Sequence, residues 1–363
     1  MHPCPEALFV NRCVREPGVT PSGELAPLAA SIRRPNWLAA TALRHGVGAF
    51  VLEAVARERL VVPATLLEAV REGTFLDLAY VMMLDGELAR LSRAFATRRL
   101  RLIVLKGPVL ARTIYAHAGL RPYRDLDLLV HQEDEEAAVS TLVASGLVEA
   151  PYEAEEARRA RGDVPHGAAF HRRFVSENCL AQVELHVDPF QLGLRTACEG
   201  DRWRRAVPVP GIEGILGLSA SDQIVHLSVH AHKHGFNRLI WLKDLDLLLR
   251  ARPNEIDWDL VCEVAGREGV RASIWYSLHL ARVLLAAPVS RNVLARLRPS
   301  LPVATIYRAI WPVDQIGELN GHMRRRAVQF HAAESWRGML PSLVLMGRRG
   351  DRTRAILQGL RSV

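Results

Sequence analysis

Two aspartates that stand one residue apart are the first candidates for chemistry in this sequence. They lie in the stretch RDLDLLV, whose leucines and valine predict a buried strand. Alternate residues of a strand point to the same side, so Asp125 and Asp127 are expected to share one face, with their Cα atoms about 7 Å apart. Two carboxylates at that distance converge on one hard cation, or on two cations about 4 Å apart. The spacing therefore predicts a metal site.

A third carboxylate is expected from the stretch QVELHVD, in which apolar and polar residues alternate. The alternation predicts a neighbouring strand whose polar face carries Glu184 towards the aspartate pair. A Mg²⁺ site for phosphoryl transfer uses such a carboxylate to complete its oxygen ligands and to deprotonate the acceptor. Asp188 is the alternative third ligand, and His186 is expected to support a ligand or to contact the acceptor. The contrary interpretation is that these residues face solvent on an edge of the sheet.

The stretch VLKGP predicts a strand that ends directly before a helix. Backbone N–H groups at the helix N-terminus attract anions, Gly107 lets a phosphate come close, and Lys106 offsets the charge of a triphosphate. Arg121 and Arg124 precede the aspartates and are candidates for a bidentate phosphate clamp. Arg124 points away from Asp125 if the strand already includes both residues. The alternatives are a plain strand–helix connection and two surface arginines.

The string DLDLL occurs a second time within WLKDLDLLLR, where the surrounding pattern predicts a helix. Residues i and i+2 of a helix lie about 200° apart around its axis. Asp244 and Asp246 are therefore not expected to bind one ion together. Asp244 alone remains a candidate for contacting the substrate.

A histidine-rich helix is predicted over SASDQIVHLSVHAHKHG, with Ser219 or Ser221 as its cap. His226, His230 and His234 recur at every fourth position, so they form one stripe along that helix. The stretch has no HExxH pattern and no nearby cysteine pair, which argues against zinc. The remaining interpretations are a buried histidine stripe and a pocket for the acceptor or the base. The residues assigned to that pocket, with His186, are His230, Lys233, His234, Lys243 and Asp244.

The pattern of hydrophobic residues divides the chain into three segments. Helix periodicity dominates residues 1–98, whereas residues 99–200 show the order strand–helix–strand–helix–hairpin. From about Asp201 the pattern returns to helix, so residues 201–363 are expected to be helical. The predicted fold class is α+β or mixed, with a small α/β core and a mixed sheet between N-terminal and C-terminal helical segments.

Composition limits the partners and the compartment. The chain has 363 residues and a formal net charge of +8, which favours a nucleotide or a nucleic acid as partner. Only three of the 47 basic residues are lysines, however, and an excess of arginine is also typical of a GC-rich genome, so nucleic-acid binding stays open. The five scattered cysteines, the lack of an apolar run of about 18 residues and the lack of a secretory signal predict a cytoplasmic protein without a membrane partner.

The order LKG, helix, RxxRDLDLLV and VELH resembles the polymerase-beta-like nucleotidyltransferase superfamily, and most of all its branch of uncharacterised nucleotidyltransferases. The resemblance is firm over about residues 100–190 and extends more loosely through HLSVHAHKHGFNRLIWLKDLD. It implies an enzyme of the EC 2.7.7 type, which transfers a nucleotidyl group from a nucleoside triphosphate such as ATP to an acceptor and releases pyrophosphate. It also implies Mg²⁺ as cofactor, with Mn²⁺ as an alternative.

The resemblance assigns Asp125 and Asp127 to the metal, and Glu184 to the metal and to activation of the acceptor. Many members have Gly-Gly or Gly-Ser after the first strand, where this chain has Lys106 and Gly107, so the usual contact of a serine with phosphate is not expected. The acceptor is open among a small molecule, a peptide, a protein and tRNA. Two alternatives are a non-catalytic nucleotide- or RNA-binding module with the same fold, and a toxin–antitoxin type enzyme that modifies tRNA or a protein.

Overall fold

The computed structural model describes residues 4–21, 23–150, 171–177, 180–189 and 199–300. Within these residues the chain forms two compact units. The sheet unit comprises residues 74–223, and the helical unit comprises residues 1–73 together with 224–363. Each unit combines parts of more than one of the three segments expected from the sequence. The division of the chain into three domains stays a prediction. Residues 301–363 of the predicted C-terminal helical segment lie outside the described residues.

The N-terminal part of the chain is helical, as its periodicity predicts. A proline stands in the first turn of two helices, where its missing N–H leaves no hydrogen bond unmade. The last helix of this part is long enough to begin in the helical unit and to continue in the sheet unit. The five helices are α1 (Pro5–Val14), α2 (Leu25–Ala30), α3 (Pro35–Arg44), α4 (Gly48–Arg57) and α5 (Ala64–Thr97).

Seven strands of the described residues form one mixed sheet in the order β3-β4-β5-β2-β1-β7-β6. Strand β2 runs antiparallel to β1 and parallel to β5, and β4 runs antiparallel to β5 as the predicted hairpin requires. The predicted α+β class with a mixed sheet is confirmed. The elements are β1 (Leu102–Leu105), α6 (Gly107–Thr113), β2 (Leu126–Leu129), α7 (Glu135–Ala144), β3 (Leu147–Glu149), β4 (His171–Ser176), β5 (Gln182–His186), α8 (Glu199–Arg205), β6 (Val207–Pro208) and β7 (Ile215–Gly217).

The expectation of helix from about Asp201 is wrong for the strands at Val207–Pro208 and Ile215–Gly217. Strands β6 and β7 form a small antiparallel pair there, and β7 adds to the sheet in parallel with β1. The two strands have only two and three residues, so neither is long enough to show an alternating pattern. Their position in the sheet depends on a partner more than 100 residues earlier in the chain, which no local pattern reveals.

The alternation along β2 separates two apolar surfaces in the sheet unit. Leu126 and Leu128 belong to the large core, which also contains Leu84, Leu88, Leu91 and Phe95 of α5. Leu129 points to the opposite face, where a small cluster contains Ile103, Leu105, Leu129, Trp203 and Leu218. Because Asp127 alternates with Leu126 and Leu128, its side chain lies on the face of the small cluster. The polar site is therefore beside the smaller core.

The C-terminal helices follow the predicted pattern. They are α9 (Ala220–Lys233), α10 (Leu239–Ala251), α11 (Trp258–Arg267), α12 (Arg271–Leu285) and α13 (Arg291–Arg296). Ser219 rather than Ser221 caps α9, because its Oγ accepts from the backbone N–H of Asp222 at 3.2 Å and donates to the Asp222 carboxylate at 2.6 Å. Among the described helices, including the 34-residue α5, none is apolar over a stretch long enough to cross a membrane.

A buried histidine at the end of α3 ties two parts of the helical unit together. Nδ1 of His45 accepts a hydrogen bond from the backbone N–H of Leu239 at 3.1 Å, so Nδ1 carries no proton. Burial, together with the charges of Arg44 and Arg238, lowers the pKa of His45 to about 3. The folded protein therefore holds this imidazole neutral over the whole physiological range.

The neutral His45 predicts acid sensitivity of the helical unit. The unfolded chain binds a proton at this imidazole below about pH 6.5, whereas the folded chain does so only near pH 3, so stability is lost as the pH falls through that window. Between pH 7.5 and pH 5 His45 alone should lower the free energy of unfolding by about 2 kcal/mol. Urea unfolding at the two pH values measures this. The variant His45→Asn keeps an acceptor but does not titrate, so an equal fall in that variant would refute the assignment.

Candidate active site

The register of the sheet brings two predicted site residues side by side. Strand β2 pairs in parallel with β5, and Asp127 is the register partner of Glu184. Asp125 directly precedes β2 and, two residues from Asp127, belongs to the same face. His186 stands two residues after Glu184 and shares that face too. Three carboxylates and one imidazole therefore converge from two neighbouring strands.

Both carboxylate oxygens of Asp127 are engaged by donors from other elements. Oδ2 lies 2.7 Å from Nζ of Lys106, and Oδ1 lies 3.1 Å from Nε2 of His186. The same Nε2 atom lies 3.7 Å from Oε2 of Glu184. The side chain of Asp127 is 3% exposed and that of His186 is 1% exposed. Asp127 is thus the centre of the cluster, and water screens its charges little.

Lys106 reaches Asp127 from an unusual backbone conformation. It is the N-cap of α6 and has φ +50° and ψ −127°, a backbone conformation that residues other than glycine rarely adopt. Such a conformation costs on the order of 1–3 kcal/mol and persists only where the surroundings hold it. Here the chain turns sharply from β1 into α6, and the turn directs the ammonium group into the carboxylate cluster.

Burial and mutual repulsion shape the charges of the cluster. Burial raises the pKa of Asp125, and the neighbouring carboxylate of Asp127 raises it further, against the effect of Lys106. Burial acts in the same direction on Asp127, but Lys106 and His186 outweigh it and hold the pKa of Asp127 well below its usual range. Burial opposes the charged form of Lys106, whereas Asp127, Asp125 and Glu184 raise its pKa. One internal ammonium thus serves several acidic groups.

The donor set fits a divalent cation. One ligand atom from each of Asp127, Glu184 and His186 lies within 4.8 Å of the other two, which makes these three the metal-ligand group that the described residues contain. Ligands bound to one ion at about 2.0–2.6 Å are separated by roughly 3–4 Å, so small side-chain rotations would suffice. Burial and the nearby carboxylate of Asp127 raise the pKa of Asp125. A bound cation would offset the repulsion between the two carboxylates. The residues present therefore suit the metal that the family resemblance implies.

The two predicted phosphate-binding arginines have different surroundings. Arg121 is buried, donates from Nη1 to the carbonyl of Pro122 at 2.7 Å, and its charge lowers the pKa of Asp125. The guanidinium of Arg124 pairs with Asp77 and lies 4.9 Å from the centre of the Tyr80 ring, both on α5. The structure thus brings Arg121 to the carboxylates and directs Arg124 to the long helix. Phosphate binding by either residue stays a prediction.

A further arginine near the site was missed by sequence reasoning. Arg173 on β4 is the register partner of Glu184, so it shares the face of the cluster. Its Nη2 donates to Oε1 of Gln182 at 3.2 Å, and Nε2 of Gln182 donates to Oε1 of Glu184 at 3.3 Å. This chain of hydrogen bonds orients Glu184. The sequence predicts the hairpin of β4 and β5 but not the register that pairs Arg173 with Glu184.

Gly107 has a steric role that the sequence did not indicate. A methyl group at this position would lie 2.8 Å from Cγ and 2.9 Å from Cβ of Tyr123, whose hydroxyl donates to Asp85 of α5. The close approach of α6 to the Tyr123 ring therefore requires a glycine. The predicted contact of Gly107 with phosphate stays a prediction beside this packing role.

Substitution of Gly107 by alanine is expected to lower the free energy of unfolding by about 1–3 kcal/mol, because the Tyr123 ring must move from a packed position. Gly86 provides a matched control within α5, since a methyl group there would meet no atom within 4 Å. Gly86→Ala should raise stability by up to about 1 kcal/mol through helix propensity. Urea unfolding compares the two variants, and equal effects would contradict the packing argument.

The second DLDLL string lies in α10, a helix as predicted. Its two aspartates do not form a metal site: Oδ2 of Asp246 accepts from Nζ of Lys243 at 2.9 Å, and Oδ1 accepts from Nε of Arg250 at 2.8 Å. Lys243 is fully buried and donates also to Glu16 at 2.6 Å. Asp244 is fully buried. The structure therefore gives Lys243 a binding partner inside the helical unit, and a role of Lys243 and Asp244 in a substrate pocket stays a prediction.

The histidine-rich helix α9 carries an aromatic cluster at its end. The ring centres of His230 and His234 are 4.6 Å apart, and they lie 4.9 and 5.2 Å from the Trp241 ring of α10. His230 and Lys233 are half-buried and His234 is exposed. Trp241 was not singled out by the sequence. These residues belong to the helical unit and the carboxylates to the sheet unit, so the predicted acceptor pocket stays a prediction.

Comparison with known proteins adds the family. The sequence model of a family described as uncharacterised nucleotidyltransferase matches residues 33–286 of the chain. No curated protein matches it. The matched range contains the carboxylates of β2 and β5, Lys106 and the histidine-rich helix. The chain belongs to the family of uncharacterised nucleotidyltransferases.

Proposed function

We propose that this protein is a metal-dependent nucleotidyltransferase of the polymerase-beta-like superfamily. It would transfer a nucleoside monophosphate group from a nucleoside triphosphate, ATP being the first to test, to an acceptor. The observation that carries this proposal is the pairing of Asp127 with Glu184 in adjacent parallel strands, with Asp125 on the same face. Membership of a nucleotidyltransferase family supports the reaction class.

The proposed reaction assigns a role to each charged group. The acceptor's hydroxyl or amine attacks the α-phosphorus, the bond from that phosphorus to the oxygen of the β-phosphate breaks, and pyrophosphate leaves with the bonding electron pair. Asp125, Asp127 and Glu184 would hold Mg²⁺, which when bound neutralises the phosphate oxygens and orients the triphosphate. Glu184, whose side chain is 12% exposed, is suited to accept the proton of the acceptor.

Lys106 and Arg121 suit the binding of the triphosphate. The ammonium of Lys106 is directed into the carboxylate cluster, and the Lys106 side chain is only 12% exposed. Lys106 stands at the N-terminus of α6. A helix N-terminus and a cation together favour an anion at this point. Arg121 provides a second buried positive charge beside Asp125. The carboxylates would therefore bind the metal ion, and Lys106 and Arg121 would bind the phosphates.

The acceptor stays open among a small molecule, a peptide, a protein and tRNA, and a cytoplasmic location is part of the proposal. The described cysteines, Cys4, Cys13 and Cys262, are free thiols, as is usual in a reducing compartment. The net charge of +8 is compatible with tRNA as acceptor.

The reaction class is tested by pyrophosphate release and by transfer of label from each α-³²P-labelled nucleoside triphosphate, with Mg²⁺ or with chelator. Labelling of the protein itself, of added tRNA or of a small molecule from a cell extract would also identify the acceptor class. We expect release that depends on a divalent cation and on one preferred base. Tight binding of RNA or nucleotide without any turnover would instead favour the non-catalytic module.

A further inference from the structure

We propose that His186 is itself a metal ligand, so that the site combines one imidazole nitrogen with carboxylate oxygens and prefers Mn²⁺ or a later first-row ion to Mg²⁺. The inference rests on the proposed function, because it concerns the same metal site. It goes beyond the sequence prediction, in which three carboxylates alone hold the ion and His186 supports a ligand or contacts the acceptor.

The backbone fixes the position of His186. It is the last residue of β5 and the register partner of Leu129, and its carbonyl accepts from the backbone N–H of Val130 at 3.0 Å. Strand alternation places its ring on the face of Glu184 and Asp127. With 1% exposure the ring has little freedom to turn towards solvent. The imidazole is therefore held against the carboxylates before any ligand arrives.

Nε2 of His186 lies inside the carboxylate cluster. It is 3.1 Å from Oδ1 of Asp127 and 3.7 Å from Oε2 of Glu184. A single N–H group has one proton and makes one good hydrogen bond, so it serves Asp127 and leaves Glu184 at a longer distance. In the tautomer that carries its proton on Nδ1, Nε2 has a free lone pair, and an ion between the three atoms would contact all of them, since each lies within 4.8 Å of the others. Metal binding would thus explain why His186, Asp127 and Glu184 all converge. A hydrogen bond that only orients Asp127 would explain the position of His186 and Asp127 but not that of Glu184.

The ligand type determines which ion is preferred. Mg²⁺ strongly favours six oxygen ligands, many of them waters, whereas imidazole nitrogen strengthens the binding of first-row transition ions in the order Mn²⁺, Co²⁺, Ni²⁺. A site with one buried imidazole is therefore expected to bind Mn²⁺ at least about tenfold more tightly than Mg²⁺. Replacement of His186 by glutamine provides an oxygen in place of the nitrogen and should remove most of that preference.

The test uses Mn²⁺ as the probe and the whole chain. Binding is measured from the loss of the free-ion signal in electron paramagnetic resonance, with Asp127→Asn to show that the ion occupies this site. Electron spin echo envelope modulation then reports whether nitrogen is bound. We expect ¹⁴N modulation in the wild type and its loss in His186→Gln. His131→Gln is the matched control, because His131 stacks on Trp203 at 4.0 Å and should leave the modulation unchanged.

Labelling avoids any dependence on the folding of the variant. If the wild-type chain is produced with ¹⁵N-histidine, the ¹⁴N modulation should be replaced by that of ¹⁵N without any substitution. Mn²⁺ that binds in an Asp127-dependent way but shows no histidine nitrogen would overturn the role of His186 and leave the proposed function standing. Absence of any Asp127-dependent binding of Mn²⁺ or Mg²⁺ would overturn the metal site, and the proposed function with it.

Discussion

Substitution of Asp127 by asparagine is expected to lower nucleotidyl transfer at least about a thousandfold, which corresponds to about 4 kcal/mol of transition-state stabilisation. The amide has nearly the shape of the carboxylate but no charge, so the cluster loses its central ligand and Lys106 loses its partner at 2.7 Å. The loss should appear in kcat, with KM for the nucleotide changed less. Initial rates of pyrophosphate release at saturating metal measure it.

Asp201→Asn is the matched control for this substitution. Asp201 lies in the same compact unit, on α8, where it pairs with Arg204 on a more exposed surface, so its replacement should leave the rate unchanged. Glu184→Gln should lose nearly as much activity as Asp127→Asn, because the two residues are register partners. Asp188→Asn should lose little, since Asp188 stands beyond the end of β5. Full activity of Asp127→Asn would refute the assignment of the active site. A larger loss of activity in Asp188→Asn than in Glu184→Gln would make Asp188, and not Glu184, the third carboxylate ligand.

The two DLDLL strings show how far the sequence leads. Their letters are identical, but the period of the flanking residues distinguished a strand from a helix, and the structure confirms both. Alternation was also sufficient to predict that Glu184 lies on the face of Asp127, since a parallel neighbour with period two leaves few other positions. The main carboxylates of the site were thus within reach of local patterns and chain order.

What the sequence could not provide are contacts that depend on exact register or on distant partners. The bond from His186 to Asp127 joins residues 59 positions apart, and Lys243 meets Glu16 over 227 positions. The left-handed backbone at Lys106 was equally hidden, because positive φ is expected of glycine and not of a lysine before one. Strands of two or three residues, such as β6, carry too few positions for any period to be recognised.

Substitution of Lys106 by methionine is expected to destabilise the metal-free sheet unit by about 3–5 kcal/mol at neutral pH, the usual cost of removing one partner of a buried ion pair. Methionine keeps the unbranched chain and the strained backbone of Lys106, so the difference isolates the ammonium charge. Without it the carboxylates of Asp125, Asp127 and Glu184 repel one another in a poorly hydrated site. Urea unfolding in chelator measures the loss.

A divalent cation should restore much of that stability, because it can neutralise the same carboxylates. At a concentration one hundred times its Kd, an ion that binds only the folded chain contributes about 2.7 kcal/mol. Lys243→Met is the matched control. Lys243 is fully buried and, like Lys106, pairs with carboxylates, here those of Glu16 and Asp246, but it belongs to the helical unit, whereas the metal-ligand group that the described residues contain belongs to the sheet unit. The substitution should therefore destabilise the helical unit without rescue by Mg²⁺ or Mn²⁺. If the cation restores the stability of both variants equally, or of neither, then the ammonium of Lys106 does not neutralise the carboxylates that the metal ion would neutralise.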